Sequence, residues 1–177
     1  RILFVVETGN NGGDGVAAAR ILTLQDYMAD IYVIGGLKKE TDSFMTQRHI
    51  AENLGLNFLT ELPENGYDVI VDGIFGVGLK RPVEGIWRKA IETINNMDGM
   101  KIAIDIPSGI NGDNGQVMGC AVKADHTVTF GNKKLGMVLY PGSDYCGHIE
   151  VCDIGFPECN VKKVRPKYYT LGEECIS

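Results

Sequence analysis

The residues of this chain whose types and spacing could do chemistry fall in three short stretches. The first is Gly9-Asn10-Asn11-Gly12-Gly13-Asp14-Gly15, set between an apolar run and an alanine-rich one. The second runs from Asp72 through Gly76-Val77-Gly78-Leu79-Lys80-Arg81-Pro82, and the third is Asp105-Ile106-Pro107-Ser108. Glycines at a strand-to-helix junction permit positive φ and bring backbone N–H groups close to a ligand, while a helix start adds partial positive charge; a phosphate suits both. The spacing is neither G-x-G-x-x-G nor a P-loop, which needs G-K-[ST] after its glycines. Glycines alone also make tight turns, but a turn has no use for Asn10, Asn11 and Asp14 together. An Arg can hold two phosphate oxygens at once, so Lys80 and Arg81 beside flexible glycine backbone suit pyrophosphate. The same pair also fits a solvated basic turn.

Two like carboxylates in one cleft raise a pKa or attract a cation. Asn11, Asp72 and Ser108 offer oxygen ligands only, which suits potassium, sodium or magnesium; with a single carboxylate among them a monovalent ion is the better match. An Asn and a Ser in ordinary turns would look the same. If Asp72 serves a cation, Asp105 remains as the acid–base group, its loop stiffened by Pro107. His49, His126 and His148 are scattered, no G-x-S-x-G elbow occurs, and none of the five cysteines forms a C-x-x-C. A Ser or Cys nucleophile, a zinc site and a disulfide framework are therefore not suggested.

These groups need a scaffold. Apolar runs alternate with helical patterns, which predicts an α/β fold built on a mostly parallel sheet. Strands are expected at residues 2–6, 30–34, 57–59, 67–72, 101–105, 126–130 and 148–154. Helices are expected after Gly15, over 41–54 with Phe44, Ile50, Ala51 and Leu54 on one face, and over 83–96. In such sheets ligands bind beyond the carboxyl ends of the strands. Each reactive stretch lies at such an end, so they can converge.

A chain of 177 residues, 44% hydrophobic, is large enough for one domain with a real core. It has no apolar run of bilayer length, so no membrane role is expected. A net charge of -6 without a dense Lys/Arg patch argues against nucleic acid as the main partner. Isolated cysteines and the lack of a signal peptide point to the cytoplasm. Because the sequence opens inside a strand, at Arg1, upstream residues are expected.

Taken together, Gly9 to Gly15, the Asp72 loop ending Lys80-Arg81-Pro82, Asp105-Ile106-Pro107-Ser108-Gly109, and Thr129-Phe130 followed by residues 133–136 resemble the NAD(P)HX epimerase family, the N-terminal domain type of bacterial bifunctional NAD(P)HX repair enzymes. The likeness runs from residue 2 to about Pro157. It implies a Rossmann-like three-layer α/β/α sandwich over residues 1–157, with 158–177 a C-terminal extension or linker. It implies an isomerase that interconverts R- and S-NADHX or NADPHX, the hydrated forms of NADH and NADPH. Asn10, Asn11, Gly12, Gly13, Asp14, Gly76, Val77, Gly78, Leu79, Lys80, Arg81, Pro82 and Asp105 would then contact substrate, with Asp105 catalytic, and Asn11, Asp72 and Ser108 would hold a potassium ion. The family also implies a helical segment before the first strand, a homodimer in the full-length protein, and a fused or partner ADP/ATP-dependent dehydratase. Two other readings compete. A nicotinamide dehydrogenase would need G-x-G-x-x-G and an acidic residue ending the second strand, where Ile34-Gly35-Gly36 stands. A non-catalytic nucleotide-binding or protein-scaffolding module would bind without turnover.

Overall fold

The structure, a computed structural model, describes residues 1–157. Five apolar residues make β1 (Ile2–Val6), which is buried on both faces in the interior of the sheet. Around it the chain lays down α1 (Asn10–Thr23), β2 (Ala29–Val33), α2 (Asp42–Asn53), β3 (Asn57–Leu59), β4 (Val69–Gly73), α3 (Gly85–Asn96), β5 (Met100–Ile104), β6 (His126–Phe130) and β7 (His148–Cys152). The strands form one seven-stranded sheet in the order β3-β2-β1-β4-β5-β6-β7, with every neighbouring pair parallel. The chain winds outward from β1 to β3, then crosses back so that β4 lies on the other side of β1. That reversal opens a crevice at the carboxyl edge.

Alternation along β1 divides the core into two layers. Phe4 and Val6 face α1 and α2 through Val16, Ala19, Phe44 and Ala51. Leu3 and Val5 face α3 through Ala90, Ile91 and Ile94. The expected three-layer α/β/α sandwich is thus present. A third cluster, including Ile106, Ile110, Met137 and Cys146, fills the space under the long connections around β6.

Several boundaries differ from the expected ones for packing reasons. On α2 the capping Thr41 side chain accepts the Phe44 N–H at 3.3 Å, and Phe44 and Ala51 are buried. Ile50 and Leu54 are instead 37% and 44% exposed: Ile50 lies more than a quarter turn off the stripe set by Phe44 and Ala51, and Leu54 is the C-cap at the helix end. The helix α3 starts at Gly85, two residues late, because the Val83 N–H is drawn to the Met118 carbonyl at 2.8 Å. Most consequential is α1, which begins at Asn10 and takes the glycine stretch into its own first turns. The prediction of a glycine loop with positive φ is corrected: none of Gly9, Gly12, Gly13 or Gly15 has positive φ. Close packing is the reason for glycine here. A Cβ on Gly12 would lie 1.6 Å from the Glu7 carbonyl oxygen, and one on Gly13 would lie 3.2 Å from the Phe44 Cα. Among the described residues no helix is long and apolar enough to cross a membrane. The proposed extension at 158–177 lies outside the described residues.

Candidate active site

At the crevice between β1 and β4 a cavity of about 730 Å³ is lined by Glu7, Gly9, Asn10, Asn11 and Asp14, by residues 74–81, and by Asp105 and Phe130. Three stretches far apart in sequence therefore open onto one space. Of the residues anticipated as substrate contacts, Asn10, Asn11, Asp14, Gly76, Val77, Gly78, Leu79, Lys80, Arg81 and Asp105 are in this lining. Gly12 and Gly13 are buried behind it as helix packing, and Pro82 stands at its edge outside the lining.

The amino end of α1 points its first-turn N–H groups at this cavity. No side chain caps that end and no acidic residue occupies its first turn. The first N–H groups of a helix have no intrahelical acceptor, so this end offers an anion two or three donors and a partial positive charge. Opposite it lies the glycine-rich loop with Lys80 and Arg81. Arg81 rests over the Trp87 ring, 5.3 Å from its centroid.

Asp72 is not a cavity wall. It lies within β4, paired with Val5 on one side and Ala103 on the other, and is 1% exposed. Its carboxylate accepts Ser108 N–H at 2.7 Å, the Ser108 hydroxyl at 2.6 Å and Ile74 N–H at 3.2 Å. Burial pushes its pKa up to about 6, against the opposing effect of those hydrogen bonds. Ser108 Oγ also accepts Phe75 N–H at 2.8 Å, which ties the Asp105-to-Ser108 loop to the loop after β4. Asn11 packs on the same loop: a methyl group on Gly76 would lie 3.5 Å from the Asn11 side chain. Asn11, Asp72 and Ser108 thus gather around residues 73–76.

The Asn11 amide nitrogen is buried there with no hydrogen-bond partner among the described residues. A half-turn of the amide presents its oxygen in place of the nitrogen. A buried carboxylate with only neutral partners, next to an unpartnered amide, is a donor set that fits an alkali cation.

Asp105 follows β5 directly and has φ +67, one of three non-glycine residues with positive φ among the described residues. The conformation is pinned on both sides. Its N–H donates to the Val128 carbonyl at 2.7 Å, and the next N–H, of Ile106, closes a three-residue turn to Ile104 at 2.8 Å. Such a turn with positive φ at its centre is rare and strained, and strain of this kind gathers at functional sites. Oδ1 of Asp105 accepts from Thr129 Oγ1 at 3.3 Å, from Phe130 N–H at 3.2 Å, and from the Lys134 ammonium in a short ion pair. Oδ2 has no hydrogen-bond partner among the described residues. Desolvation in the cleft, and then the charge of Asp105, raise the pKa of Asp14 above its usual value.

Three participants were not singled out from the sequence. Glu7 and Phe130 line the cavity from the ends of β1 and β6, and Lys134 reaches Asp105 from the loop after β6. Residues 133–136 carried part of the family likeness, but nothing in their spacing assigns Lys134 a partner 29 residues away.

The family model described as YjeF-related protein N-terminus matches residues 1–136. The chain belongs to this family. Among relatives of this family chain, an NAD(P)H-hydrate epimerase of Oenococcus oeni is 42% identical over 159 residues, covering 89% of this chain and 76% of the relative. One of the same name from Levilactobacillus brevis is 43% identical, covering 88% and 73%. The bifunctional NAD(P)H-hydrate repair enzyme Nnr of Thermofilum pendens is 39% identical over 92% of this chain, but over only 33% of its own length. The crystal structure of yeast ynu0, YNL200c, superposes with a TM-score of 0.76 at 21% identity, covering 96% of this chain and 73% of that one. That likeness supports the fold.

Proposed function

We propose that this YjeF_N-family chain is an isomerase that interconverts the R and S forms of hydrated NADH or NADPH. The observation that carries the reading is the placement of Asp105: a strained carboxylate with one free oxygen, in a cavity whose other wall is an uncapped helix end. The relatives' names supply the substrate, and the cavity supplies matching chemistry.

The pyrophosphate of the dinucleotide is received by the first-turn N–H groups of α1, with Lys80 and Arg81 neutralising it from the facing loop. Asn10 and Asp14 offer side chains to the hydroxyls of the sugar. Asp105 Oδ2 takes the proton of the hydroxyl on the hydrated ring carbon as the bond from that carbon to the ring nitrogen opens, and returns it when the same bond closes on the carbon's other face; every bond broken is remade, so the net change is in stereochemistry alone. Asn11, Asp72 and Ser108 would hold a potassium ion, whose chemistry there is charge balance for the buried carboxylate and a fixed anchor for the loop after β4. Orientation of the ring remains the task of the cavity walls.

Chromatographic separation of R- and S-NADHX after incubation with the protein tests this directly. Equilibration of a single epimer is expected, and Asp105→Asn should slow it by about a hundred- to ten-thousand-fold. An Asp105→Asn variant within a few-fold of the parent would remove Asp105 from the mechanism, and a parent protein that leaves the epimer ratio unchanged would remove the activity.

A further inference from the structure

Lys134 lies outside the cavity lining yet is bonded to the carboxylate on which the proposed chemistry depends. Its ammonium has three protons and three acceptors: Asp105 Oδ1, Thr129 Oγ1 at 2.8 Å and the Phe130 carbonyl at 3.0 Å. Its side chain is 19% exposed, and that of Asp105 is 13%. Thr129 closes the triangle by donating to the same Oδ1. A carboxylate free to turn about its last bond exchanges its two oxygens; this one has all its donors on one oxygen, on a backbone already fixed at Asp105 by two hydrogen bonds.

We propose that Lys134 is a positioning residue for the reaction: together with Thr129 and the Phe130 N–H it locks Oδ1 of Asp105, so that Oδ2 alone is presented to substrate as the proton-exchanging oxygen. The proposal rests on the epimerase reading and adds to it the group that orients the base. Lys134 also supplies the one cation bonded to Asp105 among the described residues. The other charges around the cavity are Glu7 from the end of β1, Asp14 from α1, and Lys80 and Arg81 from the facing loop.

The experiment compares Lys134→Met and Lys134→Arg with the parent protein in kcat, KM and thermal midpoint. Lys134→Met is expected to lower kcat by about a hundredfold, the cost of a misplaced reacting group, with KM little changed. Lys134→Arg, which keeps a cationic donor within reach of Oδ1, should restore most of that loss. A folded Lys134→Met protein with parental kcat, or one whose loss lies wholly in KM, overturns the proposal, as does a Lys134→Arg protein as slow as Lys134→Met. Should Lys134→Met fail to fold, Thr129→Val serves: a several-fold loss in kcat supports the lock, and parental kcat overturns it. The carbon-13 chemical shift of the Asp105 carboxyl at one fixed pH reads the same contact without turnover. A changed chemical shift in Lys134→Met, in a preparation whose parent does not epimerise, supports the hold of Lys134 on Asp105 while overturning the epimerase reading. An unchanged chemical shift overturns the hold itself.

Discussion

At Asp72 burial and hydrogen bonding pull in opposite directions, and burial wins, holding the carboxyl at about 6. A folded-state pKa raised above the unfolded value of 3.8 contributes stability that is complete below that value and is lost as pH rises through about 6. A cation held by Asn11, Asp72 and Ser108 would reverse this, because it favours the ionised form. Replacing an equal ionic strength of a bulky organic cation by potassium should therefore raise the thermal midpoint more at about pH 7.5 than at about pH 5. Asp72→Asn should lose that potassium-dependent increment. Equal increments at both pH values, or an undiminished increment in the variant, would count against the ion. The sequence expectation already assigned Asp72 to a cation and Asp105 to acid–base work. Their different burial was not legible, because it depends on register: Asp72 pairs with Ala103 inside the sheet and is buried, while Asp105, two residues beyond Ala103, falls just past β5 and lines the cavity.

The element that shapes the site is α1, and its glycines show how a correct motif can be assigned the wrong physical reason. Glycine costs a helix about 1 kcal/mol per residue relative to alanine, so a stretch with three of them reads as a loop. Tertiary contact overrides that preference: the helix is seated so closely on the residue after β1 and on α2 that a side chain at Gly12 has no room and one at Gly13 would be tight. Close seating carries the uncapped amino end of the helix to the cavity wall. Gly12→Ala should thus destabilise the fold by about 2 kcal/mol or more, since its Cβ would meet backbone rather than a movable side chain. Gly36→Ala, where nothing lies within 4 Å and only the φ of +72 opposes a side chain, should cost less. Chemical denaturation of the two variants gives the comparison, and a smaller loss at Gly12 would refute the packing account.

Among the described residues the lining of the candidate site lies along one rim of the sheet. The loops after β1, β4, β5 and β6 meet at the carboxyl edge, whereas the turns leading into the strands lie at the opposite edge. Hydrogen exchange with NADP⁺ as a probe should accordingly slow at residues 9–14, 74–81, 105–108 and 130–134. Exchange at residues 24–28, 97–99 and 123–125 should be unchanged; uniform slowing of both edges would contradict a single site. The sequence by itself determined the alternating elements, the buried first strand, the two stretches that face each other across the cavity and Asp105 beside them. These follow from local pattern: apolar runs demand burial, and oxygen-bearing side chains at strand ends demand partners. Only the tertiary structure decided the strand order that sets β1 beside β4, the packing role of Gly12, the strained φ of Asp105 and its bond to Lys134. Each of those depends on segments distant in sequence being pressed together, and burial pattern along a chain specifies that a surface must be covered without specifying which distant segment covers it.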